Sequence, residues 1–183
     1  MNIPNLLSLF RLALVPVFAV VFFQDGPNAR YLAAGVYALA FLTDILDGWI
    51  ARRFNMVTRL GRILDPLADK LMTFAVIICI TAKGIIPWWA VVIFFCKEAA
   101  MGLGAVSMLG KIDDVIPSDW LGKASTGGFF FVCAALVLFP DIPNPWPTAM
   151  ISAALALAIA AFFNYLWQYF AVVGKKKRDT DGK

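Results

Sequence analysis

Histidine is absent from the 183 residues. Without imidazole there is no Ser-His-Asp triad, and the usual nitrogen ligand of zinc is missing. Cysteine is scarce. Cys79, Cys96 and Cys133 are the only three, each inside an apolar segment and without paired spacing. They read as small core residues, not as a disulfide framework or a thiolate metal site. Charge is scarce as well: Asp, Glu, Lys and Arg make up 15% of the chain against 61% hydrophobic residues, and the mean hydropathy is +0.78. That balance excludes an ordinary soluble domain and predicts a polytopic membrane protein. No internal repeat is present. The first apolar stretch also lacks a signal peptide's basic start and small-x-small cleavage site before Gln24, so it reads as a helix.

What the chain does have is a series of six apolar stretches, at 6–23, 31–50, 64–81, 85–109, 123–139 and 145–173. They predict an all-α bundle of six transmembrane helices in a single domain over 1–174, with a polar cavity open to the cytoplasm. The basic stretch 175–183 reads as an irregular tail. Asn2, Ile3, Pro4 and Asn5 form an extended lead-in to the first helix, whose Ser8 and Arg11 make it weakly amphipathic. Arg11, Arg52, Arg53, Arg59, Arg62, Lys111, Lys123 and the tail cations fall on one side, and only Arg30 and Lys83 on the other. This asymmetry predicts a cytoplasmic-membrane protein with both termini on the cytoplasmic side. Trp88, Trp89 and Trp146 suit the outer interface, and Trp120 and Trp167 the inner one. The net charge of +4 is local to the inner face and suits anionic lipid headgroups, not nucleic acid.

Within this apolar sequence lies a dense run of acids. Residues 44–69 read D-x-x-D-G-x-x-A-R, eight further residues, then G-x-x-x-D-x-x-x-D. An ionised carboxylate beside a membrane segment costs several kcal/mol and is functional by default. Asp44, Asp47, Gly48 and Ala51 share one helix face, and Gly61, Asp65 and Asp69 share a face of the next helix. Two helices that each offer two carboxylates make an oxygen-rich site for hard divalent cations. The glycines allow close approach of a ligand, and Arg52 supplies a fork for phosphate. The pattern reads as a metal-dependent, phosphate-handling site at a membrane surface.

At all eight fixed positions the motif resembles the signature of the CDP-alcohol phosphotransferase family. The resemblance implies a six-helix membrane enzyme, usually a homodimer, that displaces CMP from a CDP-linked alcohol. It implies that Asp44, Asp47, Asp65 and Asp69 ligate two Mg²⁺ or Mn²⁺ ions and that Asp69 takes the proton of the attacking hydroxyl. Asp44, Gly48, Ala51, Arg52, Gly61 and Asp65 would then contact the cytidine nucleotide.

The opening Asn2-Ile3-Pro4-Asn5-Leu6-Leu7-Ser8-Leu9-Phe10-Arg11 resembles that of the phosphatidylglycerophosphate synthase branch, with Ser8 for the usual Thr. This implies CDP-diacylglycerol as donor and glycerol 3-phosphate as the leading acceptor. Two departures leave room for phosphatidylglycerol, as in the family's cardiolipin synthases. Lys97-Glu98 stands where the branch has Arg-Glu, and Ser125 replaces a Lys after Gly122-Lys123. Lys123, Lys97, Arg62 and Arg11 are the candidate acceptor contacts. Sequential helix residues point about 100° apart, so Glu98 is expected to pair across helices rather than with Lys97.

Three other readings compete. The acids could be interfacial partners of Arg52, Arg53, Arg59, Arg62 and Lys70, but ion pairs need no fixed glycines. A membrane prenyltransferase also uses two aspartate-rich helices, but needs an Asn-Asp opening where this chain has Phe41-Leu42-Thr43. A transporter would spread its acids near mid-membrane, whereas these cluster toward one face.

Overall fold

The computed structural model describes residues 3–54, 58, 61–108 and 120–181. Apart from Phe54 and Thr58, the connections expected at 54–59 and 111–119 lie outside the described residues, as do the side chains of Arg52, Arg62 and the tail cations. The protein is all-helical: α1 (Ile3–Phe22), α2 (Ala29–Arg53), α3 (Gly61–Ala82), α4 (Trp88–Met108), α5 (Trp120–Leu138) and α6 (Trp146–Asp181). Among the described residues, four of these are long and apolar enough to cross a membrane: α1, α2, α5 and α6. Six crossings are expected from the sequence. In α3 the reason is chemical, since Asp65, Asp69 and Lys70 interrupt it. These long apolar helices mark the chain as an integral membrane protein. Its outward faces carry exposed Leu, Phe and Trp, among them Leu103, Phe131 and Trp120, as side chains solvated by lipid tails do.

Two boundaries differ from expectation. α1 begins at Ile3, so Pro4 and Asn5 already lie in its first turn. Proline is tolerated there because those amides have no intrahelical acceptor. α6 runs to Asp181, through the basic stretch read as irregular. No proline interrupts it, and Lys and Arg are good helix formers that favour a helix C-terminus.

The chain divides into two compact units, Met1–Ile86 with Cys133–Pro143 and Pro87–Val132 with Asn144–Lys183. In the first unit α1 packs along both α2 and α3, and these two also touch. Each helix contributes one buried stripe at helical spacing. On α1 it runs Asn5, Ser8, Arg11, Leu14, Phe18, Phe22; on α2 Ala33, Tyr37, Ala40, Thr43, Asp47; on α3 Ala68, Met72, Val76, Ile80. The small Ala33 and Ala40 flank Tyr37, whose ring lies 6.1 Å from that of Phe18. On α1 and α2 the stripe is apolar at one end and polar at the other. Asp47 is thus carried into the interior by the same periodicity that builds the core.

The apolar end is closed by a helix-stop motif. Gly84, with φ +72°, follows α3, its amide donates to Thr81 O at 2.8 Å, and the Ile85 amide donates to Ile80 O at 3.0 Å. This pairing satisfies the last carbonyls of the helix and calls for glycine at the left-handed position. The preceding Lys83 extends its ammonium to Phe22 O at 2.7 Å, 4.6 Å from the Phe22 ring centroid. A cation there complements the C-terminal dipole of α1. α1 and α3 are therefore parallel, tied at both ends.

In the second unit α4 packs on α6. The rings of Phe94 and Phe129 stack with centroids 4.7 Å apart, and Leu157 lies 3.8 Å from where a Cβ on Gly128 would stand. Cys79 and Cys133 are buried, as expected of core residues, whereas Cys96 is exposed.

Candidate active site

The polar end of the first unit is built by α1. Asn5, Ser8 and Arg11 recur every third residue and are buried, and each meets a different part of the 44–69 segment. Arg11 bridges the two acids of α2. Its Nη1 lies 2.6 Å from Asp44 Oδ1, and its Nη2 donates to Asp47 Oδ2. The Nη1 contact is an ion pair outside hydrogen-bond geometry, and Nε has no acceptor. Arg11 is 1% exposed and Asp47 2%, while the Asp44 side chain is 40% exposed. The pair is therefore anchored on the inside and open on the outside.

Ser8 holds the acid of the next helix. Its hydroxyl has one proton and two acceptors, a carboxylate oxygen of Asp65 and the Pro4 carbonyl at 3.0 Å. The charged acceptor makes the stronger bond. One turn earlier, Asn5 meets the start of α3. The Thr58 hydroxyl donates to Asn5 Oδ1 at 2.9 Å and accepts the Gly61 amide at 2.9 Å, which covers one of the unpaired donors at the α3 N-terminus.

Asp44, Asp47 and Asp65 are thus gathered around one face of α1. Asp69 lies one turn beyond Asp65 and is exposed, and its carbonyl accepts the Thr73 hydroxyl at 3.0 Å. Gly48 and Ala51 are half-buried on α2, and Gly61 is buried. Lys97 and Lys123 belong to the second unit. There Lys97 Nζ pairs with Glu98 Oε1 at 2.5 Å, both side chains mostly buried, and lies 5.5 Å from the Phe94 ring centroid. The expectation that Glu98 would not take its neighbour is corrected by this contact. A flexible four-carbon stem spans the 100° between adjacent positions, and apolar surroundings favour the nearest opposite charge. Lys123 is exposed on α5, where Ser125 and Thr126 both donate to Gly122 O, at 2.9 and 3.1 Å.

The sequence marks Arg11 as an inner-face cation and a candidate acceptor contact, whereas the fold places it between the α2 acids. Asn5 reads from the sequence as part of an extended lead-in and Ser8 as part of a weakly amphipathic face, and neither reading gives their partners. The available signal is three polar residues at a spacing of three, Asn5, Ser8 and Arg11, at the start of the apolar run that reaches Leu14. Intramembrane polar residues of this kind are buried against a partner by default.

The donor set suits a hard divalent cation: every candidate ligand is a carboxylate oxygen, and the α2 pair already attracts one positive charge. Among the described residues, no three His, Cys, Asp or Glu side chains converge on a shared position. Instead the Arg11 guanidinium stands against Asp44 and Asp47, and Ser8 against Asp65.

A family model described as CDP-alcohol phosphatidyltransferase matches residues 1–170. The chain is 36% identical over 168 residues to a CDP-diacylglycerol--glycerol-3-phosphate 3-phosphatidyltransferase of Rickettsia bellii, covering 92% of each chain. It is 32% identical over 187 residues to the Bacillus subtilis protein of the same name, covering 93% of this chain and 94% of that one. A cardiolipin synthase (CMP-forming) of Streptomyces coelicolor is 33% identical over 177 residues, covering 94% of this chain and 80% of its own length. The matched span takes in the α1 polar face and both aspartate pairs, so the chain belongs to the CDP-alcohol phosphatidyltransferase family.

Proposed function

We propose that this protein transfers the phosphatidyl group of CDP-diacylglycerol to a hydroxyl of glycerol 3-phosphate and releases CMP. The supporting observation is the gathering of Asp44, Asp47 and Asp65 on one face of α1, in a chain that matches nearly end to end relatives named for this transfer.

In this reading Asp69, exposed one turn beyond Asp65, accepts the proton of the acceptor hydroxyl. The freed oxygen attacks the phosphorus that carries diacylglycerol. The bond from that phosphorus to the CMP oxygen breaks, and CMP leaves with the electron pair. Asp44, Asp47, Asp65 and Asp69 would hold the divalent cations that the family is known to use, two Mg²⁺ or Mn²⁺ ions. Bound there, the ions would neutralise the pyrophosphate and stabilise the departing CMP. Arg52 contacts a donor phosphate, and Gly48 and Ala51 leave room for the nucleotide. The positive-inside asymmetry supports a site and termini on the cytoplasmic side, and the family resemblance supports a homodimer.

A cardiolipin synthase is the second reading, favoured by the Streptomyces relative and by Lys97 and Ser125 in the second unit. An acceptor panel separates the two. Purified protein given CDP-diacylglycerol and Mg²⁺ should release CMP when glycerol 3-phosphate is added, and EDTA should stop it. Release with phosphatidylglycerol but not glycerol 3-phosphate would move the protein to the second reading. Consumption of an isoprenyl pyrophosphate would replace both.

A further inference from the structure

We propose that Arg11 is a resident counter-ion that competes with the divalent cation for Asp44 and Asp47, holding the two carboxylates while the metal is away and yielding them when it binds. The inference rests on the metal-binding reading of these aspartates.

Three observations support it. A single guanidinium bridges both acids of α2, so it stands where a shared cation would stand. Its hold is incomplete: Nε has no acceptor and Nη1 lies close to Asp44 without hydrogen-bond alignment, although a guanidinium offers five donors in a fixed fork. Finally, the pair is buried on the Arg11 side and open on the Asp44 side, which leaves an approach for an ion that does not require α1 to separate.

Charge decides the direction of the exchange. Without metal, Asp47 is a carboxylate almost fully removed from solvent, and an unpaired charge in that position is strongly disfavoured. Arg11 relieves this. With two divalent ions present, the four aspartates are already neutralised. A guanidinium retained against Asp44 and Asp47 would then add an uncompensated like charge beside the ions. Arg11 is thus a positioning residue that keeps the α2 carboxylates paired and inward until the metal arrives. It also lowers the apparent metal affinity, because only the fraction of molecules with the arginine displaced can bind.

Manganese binding to the purified full-length protein tests this, read by the loss of the free Mn²⁺ paramagnetic resonance signal, with thermal unfolding measured in parallel. Arg11→Gln should bind Mn²⁺ roughly tenfold more tightly than the wild type, the effect of removing one nearby like charge. It should unfold at a lower temperature without metal and gain more from Mn²⁺ than the wild type does. Arg11→Lys, a point charge that cannot span both acids, should lie between the two. If Arg11→Gln cannot be purified, the Lys variant carries the same test and must also bind more tightly. Unchanged or weaker Mn²⁺ binding in the arginine variants, with binding lost in Asp47→Asn, would overturn the competition and leave the metal site standing. Wild-type-like binding in Asp47→Asn would instead remove the metal reading and the inference with it.

Discussion

Asn5 Oδ1 occupies the space beside Gly61, 2.8 Å from where a Cβ on that glycine would stand. The signature glycine of α3 is therefore filled against by α1, in addition to any room it leaves for a nucleotide. Gly61→Ala should push Asn5 off Thr58 and destabilise the fold by about 1 kcal/mol, an overpacking cost partly offset by the better helix propensity of alanine. Asn5→Ala removes the obstructing oxygen, so the double variant should lose less than the sum of the single ones. Thermal unfolding of the four proteins closes the cycle. Strict additivity would mean that the two residues do not meet.

Ser8 acts through Asp65. Ser8→Ala deletes the hydroxyl and leaves the carboxylate free to rotate, which should cost about 1 kcal/mol of stability. Metal-dependent activity should fall roughly tenfold, as when other hydrogen-bond partners of a ligand are removed. The diagnostic readout is the Mg²⁺ concentration for half-maximal CMP release. It should rise in Ser8→Ala, and a change in kcat alone would count against a role through Asp65.

On the proposed function the four aspartates divide their labour. Asp69→Asn keeps the shape of the side chain but not its basicity, so turnover should fall by about 10²–10⁴-fold while CDP-diacylglycerol still binds. Asp44→Asn and Asp65→Asn should weaken metal and donor binding together, since each takes one negative charge from the cation site. Equilibrium binding of a labelled donor checks both. Loss of donor binding in Asp69→Asn to the same degree as in the others would refute a separate base.

At the far end of α1, Lys83 offers a control. Lys83→Met keeps the stem and removes the ammonium from Phe22 O, and should cost about 1 kcal/mol, or roughly 2–4 °C in Tm. Gly84→Ala should cost about as much, because its φ of +72° strains any residue with a Cβ. Neither should change kcat, since both lie at the end of α1 opposite Arg11. A large loss of activity at unchanged Tm would mean that this cap communicates with the site.

Much of this protein is legible in its order of residues. Apolar length and punctuation locate all six helices, because each crossing or near-crossing segment must satisfy its backbone internally and so must be helical. The Asp and Gly spacing from Asp44 to Asp69 shows which acids share a helix face, because 3.6-residue periodicity is a local property. Carboxylates without histidine also give the expectation of a hard cation.

What the sequence by itself could not determine is which cation meets which acid. Asp44 and Asp47 lie in a region rich in nearby Arg and Lys, yet they take Arg11, 36 residues from Asp47 and on another helix. Ser8 and Asp65, 57 apart, are a pair for the same reason: α1 lies along both α2 and α3, and its third-residue polar stripe comes level with their acids. The Lys97–Glu98 contact is a pairing of neighbours that the angle of about 100° between adjacent helix positions argues against. Helix faces are written in local periodicity. Partners across helices depend on register and axial height, which the packing of Phe18, Tyr37 and the alanines of α2 decides and which no single segment encodes.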